Sequence, residues 1–271
     1  MPSAAGRGTH LKSPAEIDAM AASGAALAEV MDILAAEVRP GVTTLQLDTV
    51  AEEAIRARGG VPAFKGYHGF PGSICPSVNE QVVHAIPGPY ALRDGDIISI
   101  DCGLTLDGWV SDTARTIPVG SITAQAARLL AATEASLYRG IEEARAGNHV
   151  GDVGHAVQVE VEGAGFAVVR SLVGHGVGRS MHEEPQVPNF GRPGSGVQLL
   201  EGMVIAIEPM VNAGTYEVVM ADDGWTISSA DGSLSAHFEH TVAITADGPR
   251  ILTVPAVSAA RAGDGDGGMR S

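Results

Sequence analysis

The chain has 271 residues, 45% hydrophobic and 18% charged, which is long and apolar enough for a full core and excludes a disordered chain. Its 17 Lys and Arg against 32 Asp and Glu give a net charge of −15, which excludes a generally basic nucleic-acid binder. Cys75 and Cys102 cannot make a disulfide framework, and their spacing fits neither a zinc knuckle nor a redox Cys-x-x-Cys pair, so a reducing, cytoplasmic setting is expected. No apolar signal-like core opens the chain, and the longest apolar run, residues 203–207, stops at Glu208, so no signal peptide or membrane span is expected.

Residues 1–12 read as an N-terminal arm ahead of a single domain over residues 13–255. Ile17, Met20, Ala21, Gly24, Leu27, Met31, Leu34 and Val38 recur at helical spacing and predict a helix over residues 14–38. Ser13 is placed to cap it, Pro14 has no N–H to leave unpaired in the first turn, and Glu16 completes a capping box before Arg39-Pro40-Gly41 ends the helix. Thr43-Thr44-Leu45-Gln46 opens a second helix, closed by Gly59-Gly60. A third helical pattern spans residues 123–145 and ends at Gly147, and a fourth spans residues 152–163. Residues 97–100, 204–207 and 238–245 read as strands, and Asp222-Asp223-Gly224 and Asp231-Gly232 mark hairpin turns around Trp225. Residues 256–271 have no apolar period and read as a disordered tail, whose Asp-Gly-Asp-Gly lacks the later ligands of a calcium loop.

Residues 92–101 read like residues 199–208 at a constant offset of 107, each a Leu-x-x-Gly turn feeding an apolar strand that ends in a carboxylate. Two related halves would therefore set Asp101 and Glu208 at equivalent strand ends facing a shared centre. Asp101 and Asp112 lie 11 residues apart around the turn-like Asp107-Gly108. A hairpin there would point both to one side at nearly opposite positions, within bridging distance of one cation. Read singly, Asp101 could merely end a strand and Asp112 cap a turn.

His175 within Gly174-His175-Gly176-Val177-Gly178, His182, Glu208 and Glu239 extend that pair into a constellation. Four carboxylates buried together raise one another's pKa, and divalent cations remove the conflict. Two cations would balance four carboxylates, which suits a dinuclear site with one neutral imidazole and a bridging hydroxide. Oxygen-rich ligation with one His favours manganese, iron or cobalt over a thiolate-type zinc site. The glycines around His175 match neither a dinucleotide loop nor a P-loop, and Pro185 excludes a metalloprotease helix at His182. No Gly-x-Ser-x-Gly elbow occurs, and Cys102 should face away from Asp101.

From about His10 to Leu252 the chain resembles the bacterial type I methionine aminopeptidases. The likeness is carried by Gly66-Tyr67-His68-Gly69-Phe70-Pro71, Ser77-Val78-Asn79-Glu80 leading to His84, Ser99-Ile100-Asp101-Cys102-Gly103 and Ser111-Asp112-Thr113-Ala114-Arg115-Thr116. It continues through Gly174-His175-Gly176-Val177-Gly178, Met181-His182-Glu183-Glu184-Pro185, Ile207-Glu208-Pro209 and Phe238-Glu239-His240-Thr241. The resemblance implies the α+β pita-bread fold, two pseudo-symmetric halves with a curved antiparallel sheet and helices on the outer face. It implies removal of the initiator methionine when the second residue is small: Ala, Ser, Gly, Pro, Thr, Val or Cys. By position, Asp101, Asp112, His175, Glu208 and Glu239 would ligate two divalent ions (Mn, Fe, Co, Zn or Ni), with Asp112 and Glu239 bridging both. A metal-bound hydroxide would attack the first peptide carbonyl, with Glu208 as proton acceptor, His182 on the oxyanion, and His84 at the scissile amide or departing amine.

Tyr67, Phe70, Cys75 and Trp225, with Phe64 and Met181 at the edge, would form a slot suited to a thioether. Many relatives carry Cys and Phe at the last two positions, a departure that bears on pocket width. The resemblance further implies a monomer that meets nascent polypeptide N-termini and transiently contacts the ribosome, with no membrane and no sequence-specific nucleic acid as partner. Arg7, Lys12 and Lys65 could form a local basic patch, against the blander reading of solvated surface charges. The start Met1-Pro2 would itself be a substrate, leaving Pro2 as the mature terminus.

Rival readings are a prolidase or aminopeptidase P, which usually carries a large N-terminal domain, and a type II enzyme, which needs an insertion between His182 and Glu208. A non-catalytic binding protein of the same fold is a third, disfavoured because all five ligand positions are filled.

Overall fold

A computed structural model describes residues 9–255; the expectations for Met1, Arg7 and the tail at residues 256–271 lie outside the described residues. Four α-helices form among the described residues: α1 (Pro14–Glu37), α2 (Thr44–Ala57), α3 (Ala124–Glu143) and α4 (Val150–Gly163). The first two open on capping boxes, Ser13 with Glu16 and Thr43 with Gln46, because each cap side chain and its partner satisfy two otherwise orphaned N–H groups. The fourth begins two residues earlier than the apolar pattern implied. Asp152 does not start it but accepts from the His149 N–H at 2.7 Å, which moves the boundary back to His149.

A nine-stranded antiparallel sheet runs through the molecule. At its centre Trp109–Pro118 pairs with Glu239–Thr245. Outward on one side lie Ile97–Leu106 and then Ile74–Val78; outward on the other lie Val204–Ile207 and then Val173–Gly176, followed by Glu183–Pro188. The two strands of the 107-residue offset thus occupy matching places about the central pair, and the fold is the pita-bread α+β architecture.

Strand alternation sorts the residues. Ile98, Ile100, Cys102 and Leu104 join Leu27, Val30, Met31, Leu34 and Leu47 in a core against α1 and α2, while Asp101 and Gly103 face the concave side. Ile205, Ile207, Val242 and Ile244 do the same against Leu137 and Ile141 of α3. The strand expected at residues 97–100 continues to Leu106, because the turn at Asp107 and Gly108, both at positive φ, lets two ten-residue strands pair throughout.

Among the described residues α1 alone is long and apolar enough to pass as a membrane span, yet Ile17, Met20, Leu27 and Leu34 are buried inside the protein. Lys12 is only 4% exposed and Lys65 is engaged by Glu52 at 2.6 Å, so these two do not form the free basic patch considered from sequence.

Gly24 on α1 lies directly against the Leu252 backbone, and a Cβ there would collide with that carbonyl oxygen. Gly24→Ala is therefore expected to destabilise by about 1–3 kcal/mol through overpacking, although Ala is the better helix former by about 1 kcal/mol. A lower urea midpoint at unchanged slope checks this, and an equal or higher midpoint contradicts it.

Candidate active site

Asp101 and Asp112 face the concave side from neighbouring strands, but not directly opposite one another. Asp101 is paired with Ala114 and Asp112 with Gly103, a diagonal relation that still places both side chains on one face. Glu239 opens the next strand and is also paired with Ala114. The two acidic strands are fastened by side chains: Thr113 Oγ1 donates to the Glu239 carbonyl at 2.6 Å, and Thr241 Oγ1 donates to the Asp112 carbonyl at 2.8 Å. Glu208 follows Val204–Ile207, and its carbonyl accepts from Asn189 Nδ2 at 3.0 Å. His175 reaches the same centre because Gly174 lets its strand lie close to the neighbouring one; a Cβ on Gly174 would collide with the Ala206 carbonyl oxygen.

One ligand atom each from Asp112, His175 and Glu239 lies within 4.8 Å of the others. His175 Nε2 stands 3.8 Å from Asp112 Oδ2 and 3.5 Å from Glu208 Oε1. Its Nδ1 lies 2.8 Å from the Gly176 carbonyl, a contact that places the proton on Nδ1 and leaves the Nε2 lone pair facing the carboxylates. Burial, reinforced by His182, pushes the His175 imidazole down to about 4, so it is neutral. Burial pushes Asp112 up to about 7. Burial and the charge of Asp112 hold Asp101, Glu208 and Glu239 well above the usual carboxylate range. Each of these acids is thus poised to keep a proton unless a positive charge replaces it.

Asp101 Oδ1, Asp112 Oδ1 and Glu239 Oε1 are buried without a hydrogen-bond partner. Buried acceptors normally find donors, and three orphaned oxygens on acids that line one cavity with a bare imidazole nitrogen fit divalent cations held by oxygen and one nitrogen.

Sequence reasoning missed His237. It is 1% exposed, neither ring nitrogen has a hydrogen-bond partner, and Nε2 stands 4.0 Å from Glu208 Oε2. Burial pushes it down to about 3. The available signal was alternation, since His237 precedes Glu239 by two positions and shares its face.

The carboxylates floor a cavity of about 530 Å³. Every residue that the resemblance assigns to the site lines it: Phe64, Tyr67, Phe70, Cys75, His84, Met181, His182 and Trp225 as well as Asp101, Asp112, His175, Glu208 and Glu239. The structure adds His68, Val83, Ser171, Leu172, Val173 and Met210. Phe70 and Trp225 meet edge to face at 5.2 Å, and burial pushes the Cys75 thiol well up, so it stays neutral beside them. Gly103 leaves the space that Phe64 and Met181 occupy, for a Cβ there would stand 2.7 Å from each. Tyr67 Oη lies 2.8 Å from His182 Nδ1, and the His182 and His175 rings are 4.3 Å apart. His84 holds a left-handed backbone, φ 60°, at the cavity wall.

The sequence matches metallopeptidase family M24 over residues 18–246. It is 55% identical over 244 residues to a methionine aminopeptidase of Clostridium perfringens, covering 90% of this chain and 98% of that protein. It is 50% identical over 242 residues to methionine aminopeptidase 1 of Bacillus subtilis, covering 89% and 98%. The crystal structure of methionine aminopeptidase from Rickettsia prowazekii superposes with a TM-score of 0.90 at 41% identity, over 91% of this chain and 100% of that one.

The raised acids give the site a signature in proton release. Because Asp112 and its neighbours retain protons that a cation must displace, manganese binding to chelated protein at about pH 6.5 should release protons, and affinity should rise with pH. Calorimetry in two buffers of different ionisation enthalpy reads the proton count; none released would contradict the account.

Proposed function

The chain belongs to metallopeptidase family M24, among its bacterial type I methionine aminopeptidases, and we propose that it removes the initiator methionine from nascent chains and peptides with a small second residue. The observation that carries this reading is the joining, in one cavity, of an acidic cation-fitted floor to an apolar slot of Phe70, Trp225, Cys75 and Tyr67. A thioether side chain is polarizable and unbranched, and aromatic edges beside a neutral thiol suit it. The preference for Ala, Ser, Gly, Pro, Thr, Val or Cys at the second position rests on the family resemblance.

Two divalent cations held by Asp101, Asp112, His175, Glu208 and Glu239 would supply the charge that polarises a peptide carbonyl and acidifies water. The protein's own groups divide the remaining work. Glu208 lies beside His175 with a raised pKa, which suits it to take the proton of the attacking water. Tyr67 Oη lies 2.8 Å from His182 Nδ1, and with the phenol as donor the neutral ring carries its proton on Nε2, available to the developing oxyanion. His84 lines the cavity, which suits it to supply the proton that the departing amide nitrogen needs. The slot binds the side chain of the substrate's first residue.

The test is release of the first residue from Met-Ala-Ser, Met-Pro-Ser, Leu-Ala-Ser and Ala-Pro-Ser by chelated protein with manganese, iron or cobalt restored. Metal-dependent release from the two methionine peptides alone is expected. Cleavage of Ala-Pro-Ser instead would replace this reading with an aminopeptidase P, and no turnover despite bound ions would favour a binding protein. His182→Ala is expected to lower kcat about 100-fold with little change in KM, as loss of one oxyanion donor does.

A further inference from the structure

Lys12 belongs to the segment that precedes α1, yet its side chain is only 2% exposed. Its Nζ stands 2.7 Å from Glu183 Oε2, a contact that spans 171 residues of sequence. The other carboxylate oxygen, Oε1, accepts from the Arg179 N–H at 2.8 Å and the Ser180 N–H at 3.2 Å. Glu183 thus gathers one loop around itself with one oxygen while Lys12 fixes the second. That loop ends in Met181 and His182, which both line the cavity.

The surroundings are shaped to the pair. A Cβ on Gly178 would stand 2.6 Å from Glu183 Oε1 and 2.7 Å from Lys12 Cε, so the glycine is what makes room for it. The Lys12 N–H donates to the Gly202 carbonyl at 2.7 Å, which ties the arm to the turn before Val204–Ile207 and Glu208. On its far side the loop is held to the acidic hairpin. The Val110 N–H donates to the Gly178 carbonyl at 2.8 Å, and the Arg179 guanidinium stacks 3.5 Å from the Trp109 ring centroid. Burial pushes the Glu183 carboxyl up, but the Lys12 ammonium and the two N–H groups outweigh it and leave it ionised below the usual range.

We infer that Lys12 is a positioning residue: its buried ion pair with Glu183 sets the loop that aims His182, and beside it Met181, into the cavity. A buried pair is weak evidence for stability, and its better-attested use is to fix register between segments. Here the segments are the N-terminal arm and the loop carrying a substrate-contacting histidine. The inference rests on the proposed role of His182, so its test needs one arm that does not depend on turnover.

Lys12→Met alone would leave a buried carboxylate unpaired and harm folding whatever the pair does. The decisive variant is therefore K12M/E183M, which replaces both partners with apolar chains of similar length. It should fold and bind manganese as the parent does, while the imidazole signals of His182, assigned with H182A, shift in 1H–15N spectra. With metal restored, kcat on Met-Ala-Ser should fall about 10-fold with KM within about two-fold, a loss of the size expected from a slightly misplaced group. K12R, which keeps a cation opposite Glu183, should retain both the signals and kcat, and K12M/E183Q, which keeps an acceptor for the two N–H groups, should show a smaller loss. A K12M/E183M protein with the parent's His182 signals and kcat would overturn the inference. If the parent itself released no methionine, the proposed function would fail, and the His182 signals alone would decide the positioning role.

Discussion

Four carboxylates share one buried patch, and that is the constraint to which the rest of the molecule answers. Burial drives Asp101, Asp112, Glu208 and Glu239 toward the protonated form, and the charge of Asp112 adds to it for the other three. The nearest basic group, His175, is itself driven neutral. Orphaned oxygens on three of these acids find no donor among the described residues. Divalent cations would remove the conflict, so the site fits partners that the chain does not encode.

Holding such a patch open requires a frame that does not relax when it is uncharged. The central strands provide one by hydrogen bonds that run crosswise between side chain and backbone. Thr113 reaches the Glu239 carbonyl, Thr241 both donates to the Asp112 carbonyl and accepts from its N–H, and Thr116 does the same for His237. Behind them the opposite faces of the same strands are filled with Ile, Val and Leu against the helices. Alternation alone therefore divides each strand into a chemical face and a packing face.

That division explains how much was legible beforehand. Asp101 and Cys102 could be assigned to opposite faces from a spacing of one, and Cys102 is indeed in the helix-facing core. The repeated Leu-x-x-Gly turns marked the two strands that match about the central pair. The capping boxes of α1 and α2 were visible because their chemistry is local. What escaped notice was set by tertiary contact. Val173–Gly176 and Glu183–Pro188 are strands rich in glycine and proline, which propensity disfavours and close sheet packing rewards. The register of Asp101 against Ala114 rather than against Asp112 depends on where the hairpin turns, by one residue in each strand. Lys12 read as a surface cation because nothing local reveals a carboxylate 171 residues away. His237 carried no motif of its own.

The division of labour between halves follows from the same geometry. Asp101 and Asp112 come from the first half, and His175, Glu208 and Glu239 from the second. The centre is therefore assembled only where the two halves pair, along Trp109–Pro118 and Glu239–Thr245. Any motion that opened that pairing would separate Asp112 from Glu239 and dismantle the centre, so cations held between the acids would draw the halves together. Stability of the domain and occupancy of the centre are then linked through one strand pair, because whatever holds Asp112 next to Glu239 holds the halves in register.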